Sequence, residues 1–164
     1  MVLAGAPVFI FKLLGYISIA SPAMPILGRL RALVWIYPLI IPVIIAITTN
    51  TVNMLEGYNG EGSGTTTISM IFIIVAAVIA QSVQGLIFGI VTLAVIFAFF
   101  LFNKYPSKAF PGDIGTLVIG AAIGMVAVLG SLEVVMFIAL LTQVFNSFYV
   151  IASVRGFKES HDSL

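Results

Sequence analysis

The chain has 164 residues, 61% of them hydrophobic and 8% charged, with a net charge of +1 and a mean hydropathy of +1.23. So little charge excludes a soluble domain of this size and points to an all-α, polytopic membrane protein. The absence of cysteine excludes disulfides, zinc–thiolate sites and a thiol nucleophile, and no basic cluster suggests nucleic acid.

Met1 to Phe11 is apolar, but Lys12 interrupts it, and a helix of that length reaches only about 17 Å. We read it as a partial span; with no basic n-region it is not a signal peptide. Tyr16 to Ala20, followed by Ser21-Pro-Ala-Met-Pro25, reads as extended chain and turn. Ala32 to Leu55 gives 24 uncharged residues, enough for one span, with Pro38 and Pro42 expected to kink it. Gly62 to Asn103 is an uncharged run of 42 residues. As helix it is about 63 Å long, twice a hydrocarbon core of about 30 Å. It must cross twice, turning at Gln81-Ser-Val-Gln-Gly85. Ile114 to Leu132 and Val134 to Val154 supply two more spans around Gly130-Ser-Leu-Glu133. The expected fold is one membrane domain over residues 1–164, a helix bundle of five full spans plus a partial N-terminal one.

This order of crossings brings two polar loops, Asn50 to Gly60 and Tyr105 to Gly115, to one membrane face. The tail Arg155 to Leu164 joins them there. Nine of the thirteen charged residues fall on that face. Four of its charges are lysine or arginine, against three on the other face, which favours a cytoplasmic loop face.

The loops hold the chemistry. Asp113 is the only aspartate outside the tail and begins a span, where the helix dipole favours a carboxylate. Capping alone is one reading; in the other, which we take, Gly112 and Gly115 beside it leave N–H groups open to phosphate, and a hard oxygen ligand there suits a magnesium diphosphate. Asn50 and Asn53 share a helix face, and Asn53 can offer an amide oxygen to the same metal or simply cap its helix. Asn59-Gly60 is first a turn signal, while Glu56 and Glu61 read as solvated charges or site residues. Phe110, among charges, presents a flat face for a ring. Lys108 is a point charge for phosphate or a membrane anchor. The single histidine, His161, receives no role. Walker-type, His-Glu-x-x-His and serine-nucleophile motifs are absent.

Asn50-x-x-Asn53-x-x-Glu56-Gly-x-Asn59-Gly60 and Pro106-Ser-Lys108-Ala-Phe110-Pro-Gly-Asp113-Ile-Gly115 together resemble the polyprenyl-phosphate N-acetylhexosamine-1-phosphate transferases. Gln143-Val-Phe-Asn146 resembles the eukaryotic and archaeal branch, which makes GlcNAc-diphospho-dolichol. The resemblance implies transfer of GlcNAc-1-phosphate from UDP-GlcNAc to a polyprenyl (dolichyl) phosphate, releasing UMP. It implies Mg2+ on Asp113 and Asn53, with Asp113 catalytic, uracil stacked on Phe110 and bonded by Asn59, and Lys108 and Glu56 in the binding site. Ile114 stands where the family usually has threonine. The implied partners are a UDP-N-acetylhexosamine, a polyprenyl phosphate and the membrane (plasma membrane or endoplasmic reticulum), with a second copy of the chain as a candidate. The family is a ten-helix bundle, and its paired-aspartate loop is expected just before Met1. Its sugar-selecting basic loop is expected at or past Leu164. The rival readings are a non-catalytic piece of such an enzyme and a transporter or channel segment. The latter would need an inverted repeat and midplane polar groups.

Overall fold

The computed structural model describes Ile10, Leu14, Ala23–Met24, Gly28–Arg29 and residues 37–156. The partial first span, Tyr16 to Ala20 and His161 lie outside the described residues. β1 (Ala23–Met24) and β2 (Gly28–Arg29) form a two-residue antiparallel ladder, with Ala23 opposite Arg29. Extended chain and turn were expected over Tyr16 to Pro25, and β1 lies within the Ser21-Pro-Ala-Met-Pro25 part of that stretch.

Six helices follow: α1 (Tyr37–Leu55), α2 (Glu61–Ile79), α3 (Val83–Asn103), α4 (Gly112–Gly130), α5 (Glu133–Ala139) and α6 (Leu141–Gly156). α1 runs through Pro42, and Pro38 falls in its first turn, where a missing N–H costs nothing. Two of its buried hydroxyls are satisfied inside the helix: Thr48 and Thr49 donate to the carbonyls of Ile44 and Ile45 at 2.8 and 2.5 Å. α2 ends at a tight turn in which Gln81 takes φ 55° and Ser82 caps α3 by accepting from the Gly85 N–H. Ser131, at φ 54°, turns the chain from α4 into α5.

Among the described residues, α2, α3 and α4 are each long and apolar enough to cross a membrane. The apolar part of α1, Leu39–Leu55, is shorter. The last expected span is not a straight helix: α5 and α6 are bent by 66° at Leu140 and make a fourth crossing only if counted together. Neither proline nor glycine stands at the break. Ser69 of α2 donates instead to the Ala139 carbonyl at 2.7 Å, so the exposed carbonyl is satisfied from a neighbouring helix. The all-helical membrane bundle thus holds, with three to four span-capable helices in the described part.

Tertiary hydrogen bonds fix which ends lie together. Tyr37 donates to Glu133, and Ser82 donates to the Gly130 carbonyl, so the α1 start and the α2–α3 and α4–α5 turns share one end. Both polar loops are at the other end. Between them the core is built from Val52, Met70, Ile73, Ile123, Val126 and Met136, with a smaller cluster of Tyr37, Ile41, Ile45 and Val128. α1 and α4 meet backbone to backbone. A Cβ on Gly120 would lie 2.6 Å from the Thr49 Cα, whereas one on Gly124 would find its nearest atoms at 3.4 Å. This is the small-residue seam that lets membrane helices approach without large side chains between them.

Candidate functional site

The loop end is pinned by three asparagines. Asn53 lies one turn beyond Thr49 on α1, and Thr116 lies one turn before Gly120 on α4, so the seam carries the two side by side. The Asn53 amide donates to the Thr116 hydroxyl at 2.7 Å and to Asp113 Oδ1 at 3.4 Å. Thr116 in turn donates within α4, lying 3.1 and 3.0 Å from the Gly112 and Asp113 carbonyls. Asp113 and Asn53, which are 60 residues apart in sequence, therefore meet at one point. Asp113 is exposed in the first turn of α4, where free N–H groups and the helix dipole favour anions.

Asn103 is the second pin and was missed by sequence reasoning, which took it only as the end of an apolar run. It is fully buried at the end of α3. Its Oδ1 accepts from the Gly60 N–H at 3.1 Å and from the Ser63 hydroxyl at 2.6 Å. Its Nδ2 donates to the Ala109 carbonyl at 3.0 Å. One carboxamide so ties both loops together with every partner satisfied. The available signal was an amide placed where a membrane helix reaches the surface. Gly60 itself sits at φ 80°, the left-handed turn that Asn59-Gly60 announces.

Asn146 of α6 is the third pin, donating to the Met54 carbonyl at 2.9 Å. Asn50 does not join the site: its amide donates back to the Ala46 carbonyl.

Around these pins the other candidates separate. Phe110 is 67% exposed on the folded-back second loop, its ring free to receive a flat partner. Lys108 and Asn59 are exposed nearby in sequence on the two loops that Asn103 joins. Lys108 is held by its backbone, whose N–H donates to the Phe102 carbonyl at 2.8 Å. Glu56 turns inward. Both its carboxylate oxygens are buried, and they lie so close to Gly62 that a Cβ there would come within 1.9 Å of Oε2. Burial pushes its carboxyl above the ordinary carboxylate range; the Gly62 N–H opposes this and the Glu61 charge adds to it.

Among the described residues no three histidine, cysteine or acidic side chains come together, so there is no dedicated metal cage. The donor set does fit magnesium in its usual substrate-borne form, which needs one or two protein oxygens and takes the rest from phosphates and water. Asp113 offers an exposed carboxylate, and a half-turn of the Asn53 carboxamide exchanges nitrogen for oxygen beside it.

Residues 1–131 match the sequence profile of glycosyl transferase family 4. The chain belongs to that family. A relative from Sulfolobus acidocaldarius is 36% identical over 141 residues, covering 83% of this chain and 42% of the relative. One from Saccharolobus solfataricus is 39% identical over 134 residues, 79% of this chain and 39% of the relative. Both carry the provisional name UDP-N-acetylglucosamine–dolichyl-phosphate N-acetylglucosaminephosphotransferase. A phospho-N-acetylmuramoyl-pentapeptide-transferase of Bacillus licheniformis is 32% identical over 124 residues, 76% of this chain and 38% of the relative. The chain spans about two fifths of the length of these family 4 relatives. The resemblance drawn from the two loops is thus a family membership, and the chain is an integral membrane protein.

Proposed function

We propose that these residues form the nucleotide- and metal-binding face of an enzyme that transfers GlcNAc-1-phosphate from UDP-GlcNAc to a polyprenyl, and specifically dolichyl, phosphate. The observation that carries the reading is the meeting of Asn53 and Asp113 at the start of α4, beside the loop bearing an exposed Phe110. Phe110 stacks on the uracil and Asn59 bonds its edge. Lys108 faces the phosphates as a point charge, and the α4 N-terminus adds its dipole. Asp113 and Asn53 would hold Mg2+, which neutralises the diphosphate and the departing UMP. A lipid phosphate oxygen attacks the β-phosphorus, and the protein contributes positioning and charge stabilisation rather than a covalent intermediate. The loop face is cytoplasmic in this reading. The names of the archaeal relatives favour GlcNAc and dolichyl phosphate; the bacterial one names a different sugar substrate.

Two measurements test it. In the 164-residue chain, UDP-GlcNAc should tighten Mn2+ binding, read by electron paramagnetic resonance. Asp113→Asn should remove at least about tenfold of that affinity, the lower end for disturbing a metal site. In a chimaera carrying this segment within the full-length Sulfolobus acidocaldarius relative, Asp113→Asn should abolish metal-dependent UMP release. Wild-type UMP release by that variant rejects the assignment. Release with UDP-N-acetylmuramoyl-pentapeptide but not UDP-GlcNAc corrects the sugar.

A further inference from the structure

Asn59-Gly60 is the one Asn-Gly pair in the chain. Such a pair carries its own reagents. The carboxamide carbon is an electrophile, and the next backbone nitrogen can reach it to close a five-membered ring. Closure is easiest where that next residue has no Cβ to crowd the approach. Asn59 is exposed, so water reaches the side chain and ammonia can leave. On exposure alone the pair should be short-lived.

The fold withholds the nucleophile. The Gly60 N–H donates to Oδ1 of Asn103, which is fully buried and held in turn by Ser63 and the Ala109 carbonyl. Further bonds close the turn around it: the Glu61 N–H donates to the Tyr58 carbonyl at 3.1 Å, and the Gly64 N–H to the Gly60 carbonyl at 2.9 Å. Gly60 stands at φ 80° and ψ 2°, as the third position of a type II turn requires. It also rests on the end of α3, where a Cβ would lie 3.0 Å from the Lys104 Cα. Ring closure needs the Gly60 nitrogen to give up its proton and swing onto the Asn59 side chain. Asn103 opposes the first and the packed turn opposes the second.

We propose that Asn59 is a latent self-modification site that Asn103 keeps shut and that reacts when the two loops part. Once released, the Gly60 nitrogen bonds to Asn59 Cγ, the Cγ–Nδ2 bond breaks, and ammonia leaves with the amide proton. Water then opens the imide at either carbonyl, giving aspartate or isoaspartate at position 59. Both put a negative charge between Glu56 and Glu61 in the sequence. Isoaspartate also adds a carbon to the main chain ahead of Gly60, so the N–H no longer meets Asn103 and the loops cannot close as before. The change is one-way, and it requires nothing of the nucleotide chemistry above.

The test incubates the 164-residue chain in detergent micelles at mildly alkaline pH beside a synthetic peptide of residues 56–62. Aspartate and isoaspartate at position 59 are followed by peptide mapping with mass spectrometry. The folded chain should convert at least about tenfold more slowly than the peptide, because conversion waits for the turn to open. Asn103→Ala should recover most of that difference. Ser63→Ala, which leaves the Gly60 bond in place, should stay within about twofold of the parent. Conversion of the parent at the peptide's rate, or of Asn103→Ala no faster than the parent, overturns the proposal. Equal acceleration in Ser63→Ala and Asn103→Ala also overturns it, since general loosening would then replace the Gly60 bond as the cause. Should Asn103→Ala fail to assemble, the parent against the peptide and against Ser63→Ala decides it.

Discussion

Gly120→Ala is expected to disable the Asn53–Asp113 corner, the proposed metal site, without touching it. The added Cβ would stand 2.6 Å from the Thr49 Cα and 2.9 Å from the Thr48 carbonyl oxygen, both backbone atoms that cannot rotate away. Carbon atoms pack comfortably at about 3.5 Å or more, so α1 and α4 must part by about 1 Å. One turn along, the Asn53–Thr116 hydrogen bond of 2.7 Å lengthens to about 3.7 Å, beyond hydrogen-bonding reach. Overpacking costs about 1–3 kcal/mol and the lost bond about 1 kcal/mol, for a total of roughly 2–4 kcal/mol. Gly124→Ala is the control, because its nearest contacts at 3.4 Å need little adjustment and predict a loss below about 1 kcal/mol. The assay is unfolding in mixed micelles by titration with dodecyl sulfate, followed by circular dichroism, with Mn2+ binding in parallel. Equal stability losses in the two variants, or unaltered Mn2+ binding in Gly120→Ala, refute the idea that this seam sets the site.

Asn103→Ala should free both loops, since it leaves the Gly60 N–H and the Ala109 carbonyl without their buried partner. At about 1 kcal/mol per lost bond, hydrogen exchange at the Gly60 amide should accelerate roughly a hundredfold, and Ser63→Ala, which removes one of the three bonds, should have a small fraction of that effect. Glu56 makes a signed pH prediction. Its folded carboxyl is raised, so the protonated form is favoured and the contribution is complete below the ordinary carboxylate value. Stability is lost as pH rises from there through the folded value, and Glu56→Gln should gain on the parent chain across that window in thermal unfolding. Gly62→Ala should expel the Glu56 carboxylate into water, because its Cβ would meet Oε2 at 1.9 Å, and so flatten the same pH dependence.

What the sequence reveals and what it hides divides along a physical line. Loop convergence is legible because it follows from length: a 42-residue uncharged run has to double back, so both its ends emerge together. The α2–α3 and α4–α5 turns are legible in Gln81-Ser82 and Gly130-Ser131, local signals that the backbone obeys. The break at Leu140 is not, because the partner that takes up the Ala139 carbonyl there, Ser69, lies 70 residues away in sequence. Asn103 is hidden for the same reason: its partners at Gly60, Ser63 and Ala109 come from both loops and the start of α2. The Gly120-x-x-x-Gly124 spacing was visible on α4, but composition does not say which helix lies across it. The inward turn of Glu56 likewise depends on Gly62 leaving room, which no charge pattern discloses.

The broken helix is tethered to α1 on either side of its break, at Glu133 through Tyr37 and at Asn146 through the Met54 carbonyl. α1 is therefore the string across a bow. Straightening the bow must either snap an anchor or drag the string along α4, where Gly120 leaves no slack. Lateral pressure in the lipid would reach the Asn53–Asp113 corner by this route, as tension in a helix whose last turn bears Asn53.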